Sequence, residues 1–279
     1  MEQGDLDRGQ EACEDGLELL ANEAREGSEA KLCLLGYLGW VAWEREELDQ
    51  ATELFEESLA LSREMSHTWW LASSLSNLAI VPQSLGDYER ATELYEQSID
   101  LFREQGDKLS LAECLNNLAT MVYSQGDLGR ATKLTEEAVA RQRELGTRGG
   151  VSVGLYNLGW IALLQDDFGR AADLYRESLS FSWDARLNPV VQWALEGFAC
   201  VAGAEGEAER AARLWGAAQA LHETKGIPRD TDFLAEADAR ISVVHTGMGE
   251  EAWEEAWRKG RVMTLDEAVS YALEVEAGG

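Results

Sequence analysis

The feature that most constrains this chain is an internal repeat with a fixed step of 40 residues. Five segments align on an alanine, and each continues as a helical pattern of acidic and apolar residues. A step of about 20–50 residues is typical of a solenoid, because one repeat cannot bury its apolar face alone and must stack on its neighbours. The aligned alanines are Ala51, Ala91, Ala131, Ala171 and Ala211.

Each repeat has a further helical segment upstream of its alanine. In the first repeat this segment places Leu35, Leu38, Gly39 and Ala42 on one side of a helix with about 3.6 residues per turn. Short breaks such as Gly86-Asp87 separate the two segments. The pattern predicts antiparallel helix pairs that stack into an all-α, right-handed α-solenoid.

Three positions carry more specific expectations. An aromatic ring fills the space between successive repeats, but Thr135 takes its place in one repeat, where we expect a weaker joint. Pro82 lies inside a first helix and removes a backbone hydrogen bond, so we expect a local bend. The pair Trp69-Trp70 falls in a predicted turn, where it would cover the edge of the stack.

These repeats resemble the tetratricopeptide repeat. The resemblance rests on the Leu-x-x-Leu-Gly/Ala first helix, the Gly-Asp-Tyr/Leu turn and the Ala-x-x-x-Tyr/Phe-x-x-Ser/Ala second helix. The repeats are about six residues longer than the common 34-residue form and lack its closing proline. The predicted solenoid covers residues 1–222, with a half unit at about 10–26 and units at 31–64, 71–104, 111–144, 151–184 and 191–222.

After the fifth repeat the 40-residue step stops. The remaining sequence predicts helices at about 231–244 and 250–259, and a last helix that begins at Thr264. Thr264 and Glu267 have the spacing of a capping box, in which hydroxyl and carboxylate each satisfy a backbone amide. We expect residues 223–279 to form a helical cap on the open end of the stack.

Residues 195–275 are also similar to the C-terminal repeat arm of bacterial signal-transduction ATPases, including LuxR-type regulators of the maltose-activator kind. The resemblance implies an arm that receives an inducer or a protein signal in transcription regulation. The sequence contains no GxxxxGK[ST] phosphate loop and no basic segment typical of a recognition helix. The chain is therefore predicted to be a fragment of such a regulator or a stand-alone relative of its sensor arm.

The charge balance restricts the partners. The formal net charge is −28, which disfavours direct binding to nucleic acid or to an anionic membrane. The four cysteines are widely spaced, which indicates reduced thiols rather than a metal site or a disulfide framework. No apolar run reaches the roughly 18 residues of a membrane span, and the first residues are acidic, so we expect a cytoplasmic protein.

One side of each first helix lies opposite the buried stripe and is predicted to line the concave groove of the stack; we call it the groove face. Asn77, Asn117 and Asn157 recur there at one repeat position, and a carboxamide offers a donor and an acceptor to a peptide backbone. Exposed aromatic clusters usually mark a contact surface. The predicted ligand-binding residues are Asn77, Asn117, Asn157, Tyr37, Trp40, Trp43, Tyr123, Tyr156, Trp160 and Trp193. The groove face also includes Cys33, Gly36, Ser73, Ser76, Ile80, Gln83, Glu113, Asn116, Thr120, Val153, Leu163, Glu196 and Cys200.

Each group has a structural alternative. The asparagines would also suit hydrogen bonds to a neighbouring helix within the protein. The aromatic residues would also suit a face that the chain's own C-terminal helices cover. Both alternatives stay open from the sequence alone.

Catalytic and metal-binding motifs are missing from the sequence. The histidines His67, His222 and His245 are far apart, and no HExxH or GxSxG motif occurs. Acidic pairs such as Glu56-Glu57 fall on second helices, where charge usually faces solvent. We therefore predict a protein that is not an enzyme and needs no cofactor or metal.

The sequence thus predicts a binding or scaffold module. Its groove would capture a peptide, a protein segment or a small-molecule inducer in a bacterial signalling context. The alternative is a structural spacer or an oligomerisation arm, such as a homodimer contact, of a larger regulator.

Overall fold

The structure is a computed structural model that describes residues 12–13, 28–185, 188–225 and 231–274. Ala12 and Cys13 are helical, while the rest of the predicted half unit at 10–26 lies outside the described residues. From residue 28 onward, the described residues form helices joined by short turns. The helices are α1 (Ser28–Glu44), α2 (Leu48–Glu64), α3 (Thr68–Ser84), α4 (Tyr88–Gln105), α5 (Lys108–Ser124), α6 (Leu128–Leu145), α7 (Arg148–Leu164), α8 (Phe168–Ala185), α9 (Asn188–Ala204), α10 (Ala208–Lys225), α11 (Thr231–Met248), α12 (Glu250–Arg261) and α13 (Leu265–Leu273).

The turn inside each repeat keeps the 40-residue step in its backbone. Where the turn reads Gly-Asp, the glycine adopts a positive φ and the aspartate accepts a hydrogen bond from the backbone of the next helix, as at Gly86 and Asp87. The antiparallel helix pairs predicted from these breaks are confirmed. The residues with positive φ in the turns inside the five repeats are Glu46, Gly86, Gly126, Asp166 and Gly206.

The chain divides into two units, and the division falls inside α5 between Met121 and Val122. The first unit comprises the described residues up to Met121, and the second unit comprises those from Val122 onward. The boundary predicted from the sequence at residue 222, between repeats and cap, stays a prediction.

In the first unit, the ring of Phe55 on α2 packs against the small residue Gly39 on α1. Phe55 is 1% exposed, and a Cβ atom added to Gly39 would lie 2.4 Å from its ring. The neighbouring pair is held by a buried hydrogen bond, in which the Ser98 hydroxyl donates to the Ala72 carbonyl at 2.8 Å. The small residues of the repeat therefore make room for the rings.

The second unit repeats this arrangement. A Cβ atom on Gly159 would lie 2.7 Å from the ring of Tyr175. The Ser178 hydroxyl donates to the Ser152 carbonyl at 2.8 Å. Thr135 is buried in this unit and donates to the carbonyl of Ala131, and the weaker joint expected there stays a prediction.

Two local expectations in α3 have different outcomes. The placement of Trp69-Trp70 in a turn is wrong, because both lie in the first helical turn of α3, which His67 precedes as the N-cap. Pro82 lies inside α3, which ends two residues later at Ser84, and the bend stays a prediction.

The C-terminal segment forms the predicted helices α11, α12 and α13. The capping box at Thr264 and Glu267 is confirmed, since both of its hydrogen bonds form. Helix α12 packs closely on α10, because a Cβ atom on Gly260 would fall within 1.9 Å of the Arg213 carbonyl oxygen. The Arg210 guanidinium donates to the carbonyls of Tyr271, Ala272 and Glu274 at the end of α13, which anchors that end to α10.

Candidate functional site

The groove face of the first unit is accessible. Tyr37, Trp40 and Trp43 on α1 are half-buried, as is Asn77 on α3, and Asn117 on α5 is exposed. These side chains lie on the groove face because the opposite sides of the same first helices carry the buried leucines and alanines. The face therefore combines partly exposed rings with accessible amides.

Contacts between α1 and α3 fix part of this face. The Trp43 indole N–H donates to the Ser84 hydroxyl at 2.8 Å. Asn77 lies beside Gly36, where an added Cβ atom would be 3.5 Å from the carboxamide nitrogen. The small residue at position 36 thus lets the Asn77 amide approach the backbone of α1.

The hydrogen bonding of Asn77 and Asn117 tests the alternative in which the asparagines bond a neighbouring helix within the protein. Neither makes a hydrogen bond to another residue in the part of the chain that the structure describes. Their hydrogen-bonding groups therefore remain available to solvent or to a ligand. This observation disfavours a role in bonding neighbouring helices, and ligand binding by these residues stays a prediction.

An acidic group at the start of α5 was missed by the sequence reasoning. Asp107 accepts hydrogen bonds from the Trp69 indole N–H at 2.7 Å and from the backbone and hydroxyl of Ser110. Burial raises the pKa of Asp107, but the donors from Ser110 and Trp69 outweigh it and hold the pKa below its ordinary value. The pKa of Glu113 is raised by burial and by the negative charge of Asp107. The sequence feature that could have identified Asp107 is its place directly before a helix start, 40 residues after His67.

The second unit differs sharply, and two predictions of exposure are wrong there. Tyr156 and Trp160 were expected to project from the groove face, but they are 4% and 1% exposed. The tyrosine ring packs between Tyr175 and Trp193, with centroid distances of 5.9 and 5.7 Å. The Trp160 indole donates to the Tyr123 hydroxyl at 2.8 Å. As buried residues, Tyr156 and Trp160 present no ring surface to a ligand in this arrangement.

Helix α11 extends the apolar cluster that contains Tyr156, whose ring is flanked directly by Tyr175 of α8 and Trp193 of α9. It packs on α9, and its Ala237 and Ile241 belong to the same apolar cluster as Tyr156 and Trp160. A Cβ atom on Gly203 of α9 would lie 2.6 Å from Val244 of α11, so the two helices approach closely. Tyr156 and Trp160 are therefore covered within the second unit, and the alternative in which the C-terminal helices themselves cover these rings stays a prediction.

The other predicted residues of the second unit are half-buried. These are Tyr123, Asn157 and Trp193. The indole N–H of Trp193 has no hydrogen-bond partner among the described residues. A ligand-binding role for these three residues stays a prediction.

The described residues contain no cluster of three or more His, Cys, Asp or Glu side chains that could hold a metal ion. His245 of α11 contacts Glu250 at 3.0 Å and stacks on the Trp253 ring, so it links α11 to α12. Within the described part of the chain, no helix is both long and apolar enough to cross a membrane.

Comparisons with known proteins agree with this architecture. Residues 34–66 and 70–144 match family models described as tetratricopeptide repeat. Among solved structures, BtubC from P. vanneervenii superposes with a TM-score of 0.68 at 18% identity, covering 81% of this chain and 92% of that one.

Two further solved structures are similar to this chain. Aspartyl phosphate phosphatase F from Bacillus subtilis has a TM-score of 0.67 at 15% identity, covering 92% of this chain and 72% of that one. A Rap protein complexed with Competence and Sporulation Factor has a TM-score of 0.64 at 13% identity, covering 97% and 72%. At these identities the likeness shows the fold alone.

A sequence relative adds a shorter match. Proteins that bear the name HTH-type transcriptional regulator in Mycobacterium tuberculosis and Mycobacterium bovis are 34% identical to this chain over 79 residues. The match covers 28% of this chain and 9% of the length of each relative. The predicted fold class is confirmed: the chain is an all-α repeat solenoid, and its residues 34–66 and 70–144 match the tetratricopeptide repeat.

Proposed function

We propose that this chain is a non-enzymatic binding module whose first unit captures an extended segment of a protein or peptide on its groove face. One observation supports the proposal most strongly. The carboxamides of Asn77 and Asn117 are accessible and form no hydrogen bond to another described residue, on a face that also carries partly exposed aromatic rings.

The physical source of affinity would be twofold. Partial burial of Tyr37, Trp40 and Trp43 leaves ring surface that an apolar ligand side chain would cover, and covered aromatic area dominates many interfaces. The amides of Asn77 and Asn117 would bond the ligand backbone through one donor and one acceptor each. Backbone recognition of this kind tolerates different ligand side chains.

Charge restricts the ligand further. The chain carries a net charge of −28, and Glu113 lies on the groove face of α5. A neutral or cationic segment is therefore favoured over an acidic one. Binding of a cationic segment would weaken as salt concentration rises.

The regulatory context is part of the proposal. A similar solved structure is a Rap protein in complex with Competence and Sporulation Factor, and a sequence relative is named as an HTH-type transcriptional regulator. These names, with the resemblance of residues 195–275 to the LuxR-type regulator arm, support a role in bacterial signal transduction. A small-molecule inducer is a second ligand class for the same face.

A peptide array tests the proposal. The full chain is incubated with neutral, basic and acidic 12-residue peptides, and binding of the hits is measured by calorimetry. We expect Asn77→Ala with Asn117→Ala to weaken binding about tenfold or more, since loss of one or two hydrogen bonds corresponds to roughly that factor.

Gln97→Ala is the matched control, because Gln97 is an exposed carboxamide on α4 and not on a first helix. Its affinity should equal that of the unchanged chain. Equal affinity of the double asparagine variant and the control would refute recognition by these amides, and loss of binding in Trp40→Ala alone would restrict the site to α1.

The spacer or oligomerisation role remains the second candidate, favoured by the covered groove face of the second unit. Light scattering over a concentration series separates the two roles. A mass that doubles with concentration, and that falls back in Trp40→Ala, would support a homodimer contact instead of peptide capture.

A further inference from the structure

Helix α11 covers the groove face of α9 in the second unit. Ala237 and Ile241 of α11 are 2% and 4% exposed, while Val243 on the same helix is 73% exposed. Cys200 on the groove face of α9 is 2% exposed, and a Cβ atom on Gly203, one turn further along α9, would lie 2.6 Å from Val244 of α11. One face of α11 therefore lies on the position that a ligand would take.

Helices α8 and α9 contain buried polar groups that no described residue satisfies. The hydroxyl of Tyr175 and the amide oxygen of Gln192 are buried without a hydrogen-bond partner among the described residues, and both residues are 0% exposed. The indole N–H of Trp193 is also buried without a hydrogen-bond partner among the described residues. Buried polar atoms without partners favour any state in which water or another ligand reaches them.

The two helices that follow α10 are held differently. Helix α12 approaches the backbone of α10 at Gly216 and Gly260, and its Trp257 indole donates to the Gln219 side chain at 2.7 Å. Among the α11 side chains whose burial is described, Ala237 and Ile241 are the buried ones. Helix α12 thus anchors the end of the repeats through close backbone contact, whereas the described side chains of α11 hold it through Ala237, Ile241 and Val244 and through the link of His245 to α12.

We propose that the groove face of α9 is a helix-binding surface that α11 occupies in cis, as a displaceable internal ligand that closes the second unit. A partner helix that takes this surface would present small and aliphatic residues one turn apart with a basic residue between them, as Ala237, Arg240, Ile241 and Val244 do. The proposal concerns the second unit and does not depend on peptide capture by the first.

Cys200 provides the test. Burial raises the pKa of its thiol to about 12, so iodoacetamide labels it slowly while α11 is seated. In the full chain, Ile241→Asp should speed Cys200 labelling at pH 8 by about tenfold or more, since a buried carboxylate is strongly disfavoured. Val243→Asp is the matched control on the exposed side of α11 and should label at the original rate.

Hydrogen exchange in α8 distinguishes displacement of α11 from unfolding of the second unit. Protected α8 amides with rapid Cys200 labelling support the proposal, and slow Cys200 labelling in Ile241→Asp overturns it. If Ile241→Asp unfolds the whole second unit, the test is made on the unchanged chain instead. There, hydrogen exchange of the α11 amides and labelling of Cys200 must occur at the same rate, at least about tenfold faster than exchange of the α8 amides. Opening of α8 at the same rate would refute a displaceable helix.

A synthetic peptide of residues 231–248 completes the test. Added to Ile241→Asp, it should restore the slow labelling of Cys200, because it supplies the missing helix in trans. The same peptide with the Ile241→Asp change should not. Failure of the unchanged peptide to protect Cys200 would overturn the helix-binding surface even if α11 opens.

Discussion

Two tyrosines at the same repeat position differ by one hydrogen bond. Tyr95 and Tyr175 are 1% and 0% exposed. The hydroxyl of Tyr95 donates to the Gln83 amide oxygen at 3.0 Å, whereas that of Tyr175 has no partner among the described residues. A satisfied buried hydroxyl stabilises a fold modestly, and an unsatisfied one destabilises it.

The two Tyr→Phe variants should therefore behave differently. We expect Tyr95→Phe to lower the free energy of unfolding by about 1 kcal/mol, and Tyr175→Phe to leave it unchanged or raise it by up to about 1 kcal/mol. Urea denaturation followed by circular dichroism measures both. An equal loss in the two variants would mean that the Tyr175 hydroxyl is hydrogen-bonded in solution.

Among structural elements, the turns inside the repeats carry the next prediction. Gly86 has a φ of 78° with open space where a Cβ atom would lie, and Glu46 adopts a φ of 62° at the equivalent position. A side chain is strained in this region by about 1 kcal/mol or more, so Glu46→Gly should stabilise the chain by about 0.5–1 kcal/mol. For the same reason, Gly86→Ala should lower the free energy of unfolding by about 1 kcal/mol. The melting temperature should therefore rise in Glu46→Gly and fall in Gly86→Ala. A lower melting temperature in Glu46→Gly would contradict this prediction.

The start of α13 depends on its capping box. The Thr264 hydroxyl accepts from the Glu267 backbone, and the Glu267 carboxylate accepts from the Thr264 backbone at 2.8 Å. Thr264→Ala should cost about 1 kcal/mol, with Thr264→Ser as a control that keeps the hydroxyl. The difference is read from denaturant midpoints, and equal midpoints of the Ala and Ser variants would show that α13 does not need this cap.

The same cap predicts a pH dependence. The hydrogen bond from the Thr264 backbone holds the pKa of Glu267 below its ordinary value of 4.5. A group with a lowered folded pKa stabilises the fold above its unfolded pKa and loses that contribution as pH falls through the folded value. Glu267→Gln should therefore be less stable than the unchanged chain at pH 7 and equally stable at a pH below the folded pKa. A difference that persists in acid would exclude the carboxylate as its source.

For the whole molecule, charge is the dominant property. A net charge of −28 on 279 residues produces self-repulsion in the folded chain. Raising the salt concentration from about 10 to 150 mM should increase the melting temperature, because the Debye length falls from roughly 30 to 8 Å. Sodium chloride and potassium chloride should act alike. A melting temperature that falls with salt would show that the exposed ion pairs outweigh the repulsion.

The local pattern was sufficient to predict the helix pairs. The turns at Gly86 and Gly126, the small residue at Gly39 opposite Phe55, and the capping box at Thr264 all depend on contacts within one repeat or one turn. Such contacts join residues close in sequence, so periodicity and residue type determine them. The all-α repeat architecture follows from the same local rules.

The candidate site was predicted less completely. Repeat position alone assigns Trp40 and Trp160 to the same face, since they are three 40-residue steps apart. Trp40 is half-buried, but Trp160 is 1% exposed in a cluster that contains Ala237 and Ile241 of α11. The helical phase of a residue determines the direction of its side chain, whereas its burial depends on which distant segment packs there. The sequence by itself therefore determined the repeats and their faces, and the tertiary structure decided which face α11 covers, because that contact joins segments far apart in the chain.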